Sequence, residues 1–295
     1  MHIQNEFLDQ LQLDGFTKRD IRFFVDRKDF RDAVSKTSIN KFCKENSVNQ
    51  GSMYQMFYGK RPVPLDILEK LGLDFNAPCM ITGSNLSVNI PIDLTKDLSY
   101  LVGALRDGTV VRETNGEYLC AFYNKNKEFV EILQKLVKNV FAIEPKVEQF
   151  QTVFGIRVRS LTLYLFFNKV FEVPQHQYYW KTPKIIENAS LEIQKAYISG
   201  FWDAEGVCPR IEKLDKIKKK NLCVGFVQKN KESLEFIKAI LEKSGIKCGN
   251  VFWSTNKHVL KVSSSSIQAF SKFICPKHPI KSKRLEEVSK IFSMD

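Results

Sequence analysis

Residues 122–140 read FYNKNKEFVEILQKLVKNV and return at 226–244 as FVQKNKESLEFIKAILEKS; residues 157–166, RVRSLTLYLF, return at 261–270 as KVSSSSIQAF. Both pairs are offset by 104 residues. A chain that repeats itself in this way folds as two similar units, and the offset fixes which positions are equivalent. Each copy opens with an apolar helical stretch that carries small residues and ends in a carboxylate and a glycine: LSYLVGALRDGT at 98–109 and AYISGFWDAEGV at 196–207. A charge at the end of an apolar helix is an unusual placement. Two of them in equivalent positions can meet at one point.

Each copy reads helix, hairpin, helix, strand or two, helix. The expected class is α+β: two pseudo-symmetric αββαββα half-domains, 97–190 and 191–295, forming β-saddles. Val110 and Arg112, with Tyr118, Cys120 and Phe122, alternate as strands with one buried face. Asn115–Gly116 is a two-residue hairpin signal in the first copy. The second copy has the longer, very basic IEKLDKIKKKN at 211–221 instead. Two outward sheet faces would form one long surface, and strands can enter a DNA major groove.

The charge balance fits a polyanionic partner. The net charge is +12 and the pI about 9.3, which favours nucleic acid. Seven cysteines make an odd number without a CxxC pair, and the four histidines do not cluster with them. Zinc spacing is therefore absent, and reduced, buried cysteines fit an intracellular protein, cytoplasmic or nucleoid-associated. The amino-terminal MHIQNEFLDQ has no apolar core, and no stretch is apolar enough to span a bilayer.

Residues 1–75 form a small all-α domain by their periodicity, and 76–96, punctuated by Pro78, Gly83 and Pro91, form a linker. Within the front, a short helix from Ile39 is followed by a polar turn, a second helix from Ser52 to Tyr58, and GKRPVP at 59–64. This stretch resembles the helix-turn-helix domains of phage-repressor type. The resemblance implies that Gln50, Ser52, Tyr54 and Gln55 (with Asn49) face DNA, with Lys60 and Arg61 on phosphates.

In the second copy, Ile198 to Gly206 reads ISGFWDAEG. Residues 97–295 resemble the LAGLIDADG homing endonucleases, of the single-chain, two-repeat type. Gly200 and Ala204, four apart, leave one helical face open to a partner helix, and Gly206 lets the chain turn into a strand. Two adjacent carboxylates repel unless a cation sits between them, and Mg²⁺ takes hard oxygen ligands together with phosphate oxygens. The metal-site candidates are accordingly Asp107 and Glu205 with Gly108 and Gly206. The first copy departs from the pattern, because aligning Asp107–Gly108 with Glu205–Gly206 puts Val102 at the place of Gly200 and Arg106 at that of Ala204. Ser99 and Gly103 are the alternative close-packing pair. Asp107 then sits out of step by one residue, roughly 1.5 Å of helix, with Arg106 capping the site or contacting DNA.

The resemblance further implies that Asn124 and Gln228 order active-site water and that Lys181, Lys281 and Lys283 are candidates to stabilise phosphate charge. It implies a monomeric, Mg²⁺-dependent, site-specific endonuclease that cuts both strands of duplex DNA. Arg112, Tyr118, Arg210 and Lys213 would contact DNA from the strands, and Lys218, Lys219 and Lys220 from the long loop. Two other readings stay open: a catalytically degenerate transcription regulator, and an intron maturase that binds structured RNA.

Overall fold

The computed structural model describes residues 2–74, 78–84, 86–212 and 222–292. The front contains α1 (Ile3–Leu13), β1 (Ile21–Phe23), α2 (Arg27–Ser35), α3 (Ile39–Glu45), α4 (Gln50–Phe57), β2 (Val63–Pro64), α5 (Leu65–Leu71) and β3 (Cys79–Ile81). It is not all-α: β1 pairs antiparallel with β2 on one side and β3 on the other. Strands of two or three residues are too short for any periodicity to register. Burial of Ile21, Phe23, Val63, Cys79 and Ile81 is what holds them together.

The stretch 76–96 therefore does more than connect. Its strand β3 completes the front sheet. Ile81 N–H also donates to Thr162 Oγ1 (3.1 Å) on α8 (Leu161–Val170), whose Phe166 meets Phe7 of α1 edge to face at 5.4 Å. The Lys169–Asp14 ion pair (2.7 Å) adds to the same junction.

The repeat is built twice. The first copy runs α6 (Lys96–Ala104), a single 3-10 turn (Leu105–Asp107), β4 (Gly108–Arg112), β5 (Tyr118–Asn124), α7 (Lys127–Phe141), β6 (Val147–Phe150), β7 (Val153–Arg159) and α8. After α9 (Lys184–Glu187), the second runs α10 (Leu191–Glu205), β8 (Gly206–Val207), β9 (Gly225–Gln228), α11 (Lys231–Lys243), β10 (Phe252–Ser254), β11 (Lys257–Lys261), α12 (Ile267–Phe273) and α13 (Pro279–Ile291). The antiparallel sheets have matching orders, β4-β5-β7-β6 and β8-β9-β11-β10.

The repeated KNK segment has a local cause. Asn126 and Asn230 cap α7 and α11, accepting from Phe129 N–H (2.7 Å) and Ser233 N–H (3.0 Å), bonds the free helix ends require. The first hairpin is one residue longer than expected. Gly116 N–H donates to the Glu113 carbonyl, and Glu113 N–H to that of Glu117. Thr114, Asn115 and Gly116 thus form a three-residue loop, with Gly116 in the left-handed conformation at φ +86°.

Candidate active site

Helices α6 and α10 lie side by side at the centre. A Cβ on Gly103 would overlap the Tyr197 carbonyl oxygen, and one on Gly200 would overlap that of Tyr100. Gly103, not Val102, is therefore the counterpart of Gly200, with Ser99 one turn earlier donating from Oγ to the Ile193 carbonyl (2.8 Å). The helices match at an offset of 97, whereas Gly108 and Gly206, which start β4 and β8, match at 98.

The missing residue is absorbed by geometry. The first copy leaves the α-helix for the 3-10 turn Leu105–Asp107, while α10 stays α-helical through Glu205. Three residues from Ala104 to Asp107 rise about 2.0 Å each, and four from Phe201 to Glu205 rise about 1.5 Å each. Both paths advance about 6 Å. The two carboxylates thus reach equivalent heights despite the shorter first motif.

Their electrostatics record mutual proximity. The Asp107 carboxyl is pushed up to about 6, first by burial and then by the Glu205 carboxylate; the Lys281 ammonium and Asn124 oppose that shift. Asn124 Nδ2 donates to Asp107 Oδ2 at 3.2 Å. The Asp107 side chain is nonetheless open to solvent. Burial raises Glu205 as well, against the pull of Lys257, Lys281 and Arg106. Lys281 Nζ donates to the carbonyls of Trp202 and Ala204, both at 3.1 Å. Burial lowers this ammonium to about 8, partly offset by Asp203, Asp107 and Glu205.

These residues fit a hard divalent cation. An exposed carboxylate, Asp107, and a half-buried one, Glu205, the first raised by the charge of the second, are the donor set that a cation between them would relieve. Among the described residues no group of three or more His, Cys, Asp or Glu side chains is gathered for a metal. The fit is that of two carboxylates, with other positions left to water and phosphate. Gly108 and Gly206 have a steric role: a Cβ would overlap the Ala121 and Trp202 carbonyl oxygens respectively.

Asn124 and Gln228 occupy the same register. Gly108 pairs with Phe122 and Gly206 with Phe226, and each amide lies two residues further along its strand. Gln228 differs in contact: its Oε1 accepts from Lys229 N–H (2.6 Å), and its buried Nε2 has no partner among the described residues. Of the three lysines, only Lys281 joins the carboxylates. Lys181 is ion-paired to Glu232 (2.8 Å), and Lys283 is exposed beside Glu286. Lys257 of β11, beside Glu205, was missed. The signal for Lys281 was present, since it lies four residues before Leu285 and seven before Val288, the buried face of α13. Arg106 neither caps the site from solvent nor faces DNA; it is fully buried.

The sheet faces divide the strand residues. Val110, Cys120 and Val158 pair across the first sheet and are buried. Arg112 and Tyr118 share that side by parity; Arg112 lies over the Tyr118 ring (5.6 Å), which packs on Tyr164 of α8 (4.8 Å). The opposite face carries Thr109, Tyr123, Arg157 and Arg159 in the first sheet and Phe252, Lys257 and Lys261 in the second. Arg157 stacks on Phe150 at 3.8 Å and donates from Nε to Tyr123 Oη at 3.1 Å. Arg159 is paired with Glu117 (2.7 Å) and Glu113 (3.3 Å). Arg210 is exposed. Lys213, Lys218, Lys219 and Lys220 lie outside the described residues. In the front, Gln50, Tyr54, Gln55, Lys60 and Arg61 are exposed, and half-buried Ser52 accepts from Arg61 Nη1 (3.2 Å).

Comparison with known proteins fits this geometry. A model of the LAGLIDADG-like domain matches residues 192–275. Over 199 residues the chain is 31% identical to homing endonuclease I-ApeI of Aeropyrum pernix, covering 65% of this chain and 86% of that protein. The chain belongs to the LAGLIDADG homing endonuclease family. The matched domain includes the end of α10, with Glu205 and Gly206. Among solved structures the chain is similar to I-DmoI in complex with DNA and Ca, at 19% identity and a TM-score of 0.49, covering 66% of this chain and 98% of that one. It is also similar to I-WcaI bound to its DNA recognition sequence, at 15% identity and a TM-score of 0.45, covering 65% and 87%.

Proposed function

We propose that this protein is a site-specific endonuclease of homing type that cuts both strands of duplex DNA and acts as a monomer. The observation that carries the reading is the pairing of Asp107 and Glu205 at equivalent ends of two close-packed helices, flanked by the half-buried Lys281. The half-domains 97–190 and 191–295 would each present a sheet to half of a long site about a pseudo-two-fold axis.

Asp107 and Glu205 are the residues that would hold Mg²⁺, which when bound supplies charge neutralisation at the phosphate and a more acidic water. Asn124 fixes the Asp107 carboxylate through its 3.2 Å hydrogen bond. Lys281, anchored on two carbonyls, places a positive charge where charge develops on the scissile phosphate. Arg157, Lys257 and Lys261 on the outward faces supply base and phosphate contacts. The exposed face of α4, with Lys60 and Arg61, adds a second contact outside the saddle. Gly108 and Gly206, which follow the two carboxylates and leave no room for a Cβ, would complete the metal site with them.

The exposed amide face of α4 also favours a second reading, a DNA-binding regulator that does not cut. Selection of bound duplexes, followed by incubation with Mg²⁺, separates the two. Linear product from bound DNA supports the nuclease, whereas tight binding without scission supports the regulator. Competition with structured RNA in the same assay tests the maturase alternative.

A further inference from the structure

The offset of 97 that matches Gly103 with Gly200 also matches Tyr100 with Tyr197 and Arg106 with Asp203. Each tyrosine reaches across the helix pair to the charged residue of the other copy. Tyr100 O–H donates to Asp203 Oδ2, and Tyr197 Oη accepts from Arg106 Nη2 at 2.6 Å. All four side chains are buried.

The charged residues then grip equivalent backbone. A Lys-x-Pro segment precedes α9 at 181–183, and another leads into α13 at 277–279. Arg106 donates from Nη1 to the Trp180 carbonyl (2.6 Å) and from Nη2 to the Lys181 carbonyl (2.8 Å). Asp203 Oδ2 accepts from Lys277 N–H (2.6 Å) and His278 N–H (3.2 Å). The charge is inverted, and the direction of every bond with it: the cation takes carbonyls and the anion takes amides. The Arg106 guanidinium lies between the Trp180 ring (4.7 Å) and the Phe201 ring (4.9 Å), with no carboxylate bonded to it among the described residues. Burying a charge is costly unless it is hydrogen-bonded; Arg106 Nε and Asp203 Oδ1 have no hydrogen-bond partner among the described residues, so the bonds to the two segments and the tyrosines carry all the compensation these charges receive.

We propose that Arg106 and Asp203 are pseudo-equivalent positioning residues of opposite charge, which lock the two Lys-x-Pro segments onto the paired helices and so set Asp107 and Lys281 for cleavage. The proposal rests on the reading of Asp107 and Glu205 as the catalytic carboxylates. The two clamps are unequal in what they deliver. Matching Lys181 with Lys277 puts buried Ile185 opposite Lys281, so only the Asp203 clamp brings a lysine to the carboxylates.

The test uses the full chain and the duplex it selects. Tyr100→Phe and Tyr197→Phe each delete one hydroxyl without opening a large cavity. Single-turnover cleavage should slow by about 10-fold to 100-fold, the scale of a displacement of about 1 Å, while the DNA Kd stays within about 2-fold of wild type, less than 0.5 kcal/mol. Arg106→Lys should recover part of the rate lost in Arg106→Met. Amide exchange at Lys277 and His278 should quicken in Asp203→Asn, a readout independent of activity. Wild-type rates in both tyrosine variants, rate and affinity falling together, or unchanged exchange in Asp203→Asn would each overturn the proposal. Absence of cleavage by the wild-type protein would instead remove the nuclease reading, and the exchange measurement would still decide whether the Asp203 clamp exists.

Discussion

Replacing Asp107 by Asn should abolish cleavage yet stabilise the metal-free protein. Its carboxyl is raised from 3.8 to about 6 by burial and by Glu205. A carboxyl with a folded pKa above its unfolded value binds its proton more tightly when folded. Stability therefore falls as pH rises from about 4 to about 6, and the loss persists at higher pH. A shift of about 2 units corresponds to about 3 kcal/mol. Asp107 is open to solvent, and screening reduces this to about 1–1.5 kcal/mol. For a chain of this size, that is a rise of about 2–5 °C in unfolding temperature. Thermal unfolding without divalent metal should show Asp107→Asn above wild type at pH 8, with the gap shrinking as pH falls toward 4. Mg²⁺ at pH 8 should raise the wild-type midpoint and leave the variant unmoved. A variant less stable than wild type at pH 8 would refute the reasoning, because the carboxylate would then be a structural partner of Asn124 rather than a strained anion awaiting a cation.

Three further outcomes follow from the same geometry. Gly200→Ala would drive a methyl group into the Tyr100 carbonyl; the helix pair must separate, at a cost of about 3–5 kcal/mol, seen as a large fall in unfolding temperature with loss of cleavage. Lys281→Met should slow single-turnover cleavage by about 10²-fold to 10³-fold, with DNA affinity changed only a few-fold. Arg157 is held by Phe150 and Tyr123, and its Nη groups make no hydrogen bond among the described residues. Arg157→Ala should relax sequence preference at one base pair by about 1–3 kcal/mol, read by binding to a set of single-position variants.

The sequence carried the architecture because the repeat is written in features with local causes. KNK recurs because each Asn caps a helix, and the small residues of 99–103 and 196–200 recur because two helices touch there. The position of Asp107 was harder to read. A change from α to 3-10 rise over three residues leaves no periodic trace, yet it decides whether the two carboxylates align. Arg112 and Tyr118 share the parity of Val110 and Cys120, which the alternation of the two strands already showed. Arg106 could not be placed from sequence, since its partners are carbonyls of residues 74 and 75 positions away. The front sheet was missed because its strands acquire stability only from tertiary burial.

The most direct measurement is cleavage by a matched pair, wild type and Glu205→Gln, on the duplex that both bind. With Mg²⁺, wild type should cut both strands, while Glu205→Gln should bind with similar affinity and leave the DNA intact. Equal cleavage by the two proteins, or tight binding without any cleavage by wild type, would contradict a catalytic centre built on Asp107 and Glu205.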